Sequence, residues 1–73
     1  MLPRVTNFLE LQDRMALVRA KYPMAVLMVL CTKQGYFVDV LPKKDIHATP
    51  LARGGTATDL EEAINRALGK VLL

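Results

Sequence analysis

Met24-Ala-Val-Leu-Met-Val-Leu-Cys31 is a run of eight residues without a charged or strongly hydrogen-bonding side chain, in a chain of 73. A membrane-spanning helix needs about 20 apolar residues, so the run is too short to cross a bilayer. A half-wet strand alternates apolar with polar residues, and this stretch does not. It reads as a strand over 25–31 that is covered on both faces. A chain this short has little material to provide that cover.

Downstream, Lys33-Gln34-Gly35 carries the signal of a three-residue loop, with Gly35 free to take positive φ. Tyr36-Phe-Val-Asp-Val-Leu41 is the return strand of a hairpin, closed by Pro42. Asp39 is its only charge and shares a face with Phe37 and Leu41. A carboxylate there needs an edge, a basic partner or water.

Upstream, Asn7-x-x-Glu10 is a capping-box pattern that opens a helix. Pro23 ends it near Tyr22, because the residue before a proline is pushed out of the helical region. Phe8, Leu11, Met15, Val18 and Tyr22 form one narrow stripe at helical spacing, the expected core face. Leu9, Ala16, Leu17 and Ala20 fall on the other side, interrupted by Asp13. A helix wholly facing water would carry polar groups there. Either the lead-in and the C-terminus cover that side, or another chain does.

The segment 42–50 alternates over too few positions to decide its state, with a short edge strand at 45–49 as the expectation. Residues 51–58 read as a loop. Thr58-Asp-Leu-Glu61 is a second capping box, and Asp59, Glu61 and Glu62 suit the positive end of a helix dipole. Leu60, Ala63, Ile64, Ala67, Leu68 and Val71 give this helix its apolar face, with Glu62 and Arg66 as a favourable i,i+4 pair. Gly69 weakens the last turn by roughly 1 kcal/mol, so residues 70–73 are expected to fray. The order is α-β-β-(β)-α: an α+β fold, one domain over 1–73, with two helices on one face of a small antiparallel sheet. The run 24–31 then becomes the central strand, with its second face closed by another chain.

Composition narrows the function. A domain of this size draws only about 3–5 kcal/mol from its core. One cysteine forms no internal disulfide, and one histidine with one cysteine makes no four-ligand zinc site without clustered carboxylates. Yet 52% of the residues are apolar, at the upper end for a globular chain. A second subunit or a target protein is the natural cover for the surplus. The first residues lack the pattern of a signal peptide, and a free cysteine suits a reducing compartment. Both point to the cytoplasm.

Candidate chemistry is sparse. Cys31 with His47 would be the nucleophile pair, but Cys31 ends the most apolar run and no residue is placed to orient the histidine. Glu61 and Glu62 diverge on their helix and read as dipole charges. Arg53-Gly-Gly-Thr-Ala-Thr58 resembles an anion-binding loop before a helix, yet lacks the Lys-Ser/Thr of a P-loop and leads into acidic residues. Lys43, Lys44, His47 and Arg53, extended by Lys33 at the hairpin tip, form the basic set. The net charge is +3 and the pI near 9.4.

Residues 25–68, with the strand pair leading into Thr56-Ala-Thr-Asp-Leu-Glu-Glu-Ala-Ile-Asn-Arg-Ala-Leu68, resemble small phage- or prophage-encoded accessory proteins. The resemblance implies a compact protein that binds and obstructs a host enzyme or defence complex, and it transfers no catalytic residue. The expectation is therefore a non-enzymatic, homodimeric protein-binding module without cofactor, metal or membrane association. It would contact its target through Leu9, Asp13, Leu17 and Ala20, with the basic set as a rim. The alternative is a small nucleic-acid-binding or transcription-associated protein using Lys43, Lys44 and Arg53.

Overall fold

The computed structural model describes residues 3–72, with 55 and 56 by backbone alone. Its elements are α1 (Phe8–Lys21), β1 (Val26–Thr32), β2 (Gly35–Leu41), β3 (Ala52–Ala57) and α2 (Leu60–Leu72). The strands form one antiparallel sheet in the order β1-β2-β3. Met15 and Val18 of α1, and Ala63, Ala67 and Leu68 of α2, share one core with Leu27, Val38, Val40 and Ala52 of the sheet. These strand residues are on the same face, so both helices pack on one side. This is the expected α+β architecture.

Local chemistry sets the ends of α1. Asn7 is extended, and its side chain accepts from the Glu10 N–H at 2.9 Å. The Glu10 carboxylate returns to the Thr6 N–H and hydroxyl and to Asn7 Nδ2. At the other end the Tyr22 N–H bonds to Val18 O at 2.9 Å, and the chain turns through Pro23. Helix α2 begins at Leu60 rather than at a Thr58 box. Asp59 is the capping residue, its Oδ1 accepting from the Glu61 N–H at 3.1 Å. The helix continues past Gly69 to Leu72, because Val71 and Leu72 remain half-buried against the core.

The lead-in is tied to α2 by Asn65. Its Oδ1 accepts from the Val5 N–H, and its Nδ2 donates to Val5 O, each at 2.8 Å. Val5 is thereby buried in the core. Arg4 reaches Glu61 at 3.3 Å and Glu62 at 3.0 Å. The hydrogen bonds that Arg4 donates to Glu61, then to Glu62, raise its pKa above the ordinary value. The i,i+4 pair is present as well, with Arg66 Nε 3.1 Å from Glu62. All these pairs are exposed, where such contacts are worth little.

The structure corrects the strand assignment in three places. The hairpin turn is Lys33–Gln34, and Gly35 (φ 127°) already belongs to β2, paired with Thr32. The third strand is not 45–49. There the Asp45 side chain accepts from the His47 N–H at 2.9 Å and the Ala48 N–H closes on Asp45 O at 3.0 Å, a local turn that competes with pairing. The strand is instead Ala52–Ala57, read from sequence as a loop, and the Leu51 N–H starts its pairing with β2 by bonding to Val40 O at 2.7 Å.

Third, β2 is central and β1 is an edge. The apolar run is therefore not covered on both faces. Ala25 is buried and Val26, Leu27 and Met28 are half-buried, whereas Met24, Val29, Leu30 and Cys31 are exposed. The fully buried strand residues are Val38, Val40 and Leu41 of β2. Leu41 lies on the sheet face opposite the helices, in a groove with Val26, Met28, Lys44, Asp45 and Ile46.

Two glycines let β3 form. Between the pairs Phe37–Thr56 and Asp39–Arg53, β3 has one residue more than β2, a bulge at Gly54–Gly55. A Cβ on Gly54 would lie 2.5 Å from Val38 O, 2.9 Å from Ala63 O and 3.0 Å from Ala67 Cβ. Gly54 opposite two alanines is what allows α2 to approach the sheet this closely.

Candidate protein-binding surfaces

The first surface is the outer side of α1. Leu9 is 71% and Leu17 48% exposed, and Asp13, Ala16 and Ala20 are exposed as well. The lead-in goes instead to α2, through Val5 and Asn65, so it does not cover this side. Leu9, Asp13, Leu17 and Ala20 thus lie on one open helix face, as their spacing requires. The expected core stripe is shorter than its periodicity implies. Leu11, Met15 and Val18 enter the core, while Phe8 is 68% and Tyr22 38% exposed at the two ends of the helix.

The second surface is the outer half of the β1–β2 hairpin. Leu30, 52% exposed, is the register partner of Phe37, 38% exposed, on the face away from the helices. Met28 pairs with Asp39, and Asp39 with Arg53, so an arginine of β3 is the backbone register partner of the one charged residue in β2. The sequence gives no sign of this pair, because 51–58 does not read as a strand.

The basic residues do not converge on one site. Lys33 is in the β1–β2 turn, whereas Lys43, Lys44 and His47 lie in the β2–β3 connection at the opposite end of β2. Seven residues at about 3.3 Å each separate the two ends by roughly 20 Å. Arg53 is exposed on the open sheet face beside Asp39, and the Lys70 ammonium donates to its backbone carbonyl at 2.5 Å. The stretch Arg53–Thr58 is not a loop before a helix, since most of it is β3.

Cys31 and His47 are not brought together either. Cys31 is near the turn end of β1, and His47 is in the connection at the other end of the sheet. The thiol is exposed rather than packed as apolar filler. Glu61 and Glu62 hold Arg4, and Glu62 also holds Arg66. Among the described residues no three His, Cys, Asp or Glu side chains are grouped as a metal site would need. Among the described residues no helix is long and apolar enough to cross a membrane.

What the sequence missed are Val5 and Asn65, which close the helix layer, and the free edge of β1. An Asn at the margin of the apolar face of α2, one turn from Leu68, is the available signal for the first. No family model, curated protein or solved structure matches this chain.

Proposed function

We propose that this chain is a non-enzymatic binding module that self-associates and docks on another protein through the outer face of α1. One observation carries the reading. Nine large apolar side chains among the described residues are exposed by more than a third, and they concentrate on α1 and the β1–β2 hairpin. Burying such groups on a partner is worth about 25 cal/mol per Å² of apolar surface. Leu9, Asp13, Leu17 and Ala20 form the contact, whereas the expected rim of Lys43, Lys44 and Arg53 does not border it, since Lys44 and Arg53 lie on the sheet face away from the helices. The resemblance of residues 25–68 to phage-type accessory proteins supports a role in inhibiting or modulating a larger host assembly. The nucleic-acid alternative draws less support from the geometry, because Lys33 and Lys43 occupy opposite ends of the sheet.

The test compares the wild-type chain with Leu9→Glu/Leu17→Glu in capture from a lysate of the source cell, with identification by mass spectrometry. Both positions are exposed, so the double variant should keep its far-UV circular dichroism and stay within about 0.5 kcal/mol of wild-type stability at each site. The expected result is a protein retained by the wild type and lost by the variant. Identical captures from both would sink the α1 assignment.

A further inference from the structure

We infer that the free edge of β1 pairs antiparallel with β1 of a second copy, about a two-fold axis at Val29, to make a continuous six-stranded sheet. The inference rests on the protein-binding reading above and names the partner of its hairpin surface.

The sheet has two edges, and only one is protected. β3 is six residues long, carries Arg53, is bulged at Gly54–Gly55, and has Lys70 bound to one of its carbonyls. Charge, a bulge and a covering side chain are the ordinary defences of an edge strand. β1 (Val-Leu-Met-Val-Leu-Cys-Thr) has seven residues without a charge, a proline or a register break. It is an open template for another strand.

Its outward groups follow from the register. Val40 O accepts from Leu51 on the β3 side, so Val40 does not bond across to its β1 partner Leu27. Hydrogen-bonded and non-bonded pairs alternate in an antiparallel ladder. Leu27, Val29 and Cys31 therefore point their N–H and C=O groups away from β2. An axis at Val29 sets Leu27 opposite the partner's Cys31 and Val29 opposite the partner's Val29. All three outward residues then exchange bonds. A register shifted by two residues either way, which moves the axis to Met28 or Leu30, leaves one of the three unmatched within the strand. Met28 comes opposite the partner's Leu30, so the facing side chains are apolar as well. A two-fold contact must be self-complementary in this way.

The surface area agrees. The chain exposes 4997 Å², where a compact monomer of 8.1 kDa averages about 4500 Å². The excess is of the order that a standard interface removes from each partner, about 800 Å². A two-fold axis normal to the sheet also leaves all four helices on one side, so the two α1 faces stand side by side for a shared target.

Sedimentation velocity of the full chain at micromolar to millimolar concentration tests the pairing. Val29→Pro removes only an outward N–H, and Val29→Lys adds an edge charge, so neither touches the β1–β2 ladder. Both variants should shift a dimer to monomer with the circular dichroism unchanged. Val29→Cys in a Cys31→Ser background should oxidise to a covalent dimer, since hydrogen-bonded antiparallel partners have Cα atoms about 5.5 Å apart, within disulfide range. The native Cys31 should not cross-link, being opposite the partner's Leu27. A monomeric wild type, a dimer that survives in both Val29→Pro and Val29→Lys, or a cross-link through Cys31 overturns the proposal. A monomer that still captures a protein through Leu9 and Leu17 overturns it while leaving the binding reading in place. A dimer that captures nothing does the reverse.

Discussion

Adding one methyl group at Gly54 should destabilise this protein more than most changes to its surface. In Gly54→Ala the new Cβ would be 2.5 Å from the Val38 carbonyl oxygen, 2.9 Å from the Ala63 carbonyl oxygen and 3.0 Å from Ala67 Cβ. Two of the three obstacles are backbone atoms, one in the central strand and one in α2, so no side-chain rotation relieves them. Either the strand or the helix must move, and α2 packs against both β3 and β2. Overpacking of this kind costs about 1–3 kcal/mol, and the backbone contacts place Gly54→Ala toward the upper end, at about 2.5 kcal/mol. That is a factor of roughly 70 in the folding equilibrium, at about 1.4 kcal/mol per tenfold. It is also at least half of the roughly 3–5 kcal/mol that a core of this size supplies. In urea, with a slope of about 1 kcal/mol/M for a small domain, the midpoint should fall by about 2–3 M. Equilibrium denaturation followed by far-UV circular dichroism measures it. A Gly54→Ala midpoint within about 0.5 M of wild type would refute the close approach of α2 to β3.

Two other substitutions test the remaining supports of the fold. Asn65→Ala strips both partners from the backbone of Val5 and should cost about 1–3 kcal/mol; the Val5 amide should also lose its hydrogen-exchange protection, and unchanged protection would show that the lead-in is held by something else. Asn7→Ala removes the side-chain acceptor for the Glu10 N–H, with an expected loss of about 1 kcal/mol in the same urea titration, and no loss would mean that the Thr6–Glu10 contacts suffice to start α1.

Much of the fold is legible without coordinates because it depends on near neighbours. The cap at Asn7, the stop at Pro23 and the charge gradient of α2 are settled within a few residues along the chain. The hairpin is equally local: two apolar runs joined at Lys33-Gln34-Gly35 pair in one register only. Asp59, rather than Thr58, caps α2 because either side chain offers an acceptor within one residue of the helix start. The exposed face of α1 was also readable, since Leu9, Asp13, Leu17 and Ala20 share a side at helical spacing. Its exposure was not, because that depended on where the lead-in goes.

Two capped helices, a hairpin and an apolar surplus follow from near-neighbour chemistry along the chain. Tertiary structure decided which strand is the edge, and with it the surface most suited to a partner. Ala52-Arg-Gly-Gly-Thr-Ala57 has little β-propensity of its own, and becomes a strand because β2 offers it a ladder and α2 needs a glycine beneath Ala63 and Ala67. Once that segment takes the far side of β2, Asp39 gains Arg53 as its neighbour and the apolar run 24–31 is left at the rim. Hydrophobicity measures how strongly a segment avoids water. It does not say whether the cover comes from the same chain, and in a 73-residue protein with both helices on one face, Val29, Leu30 and Cys31 are left without it.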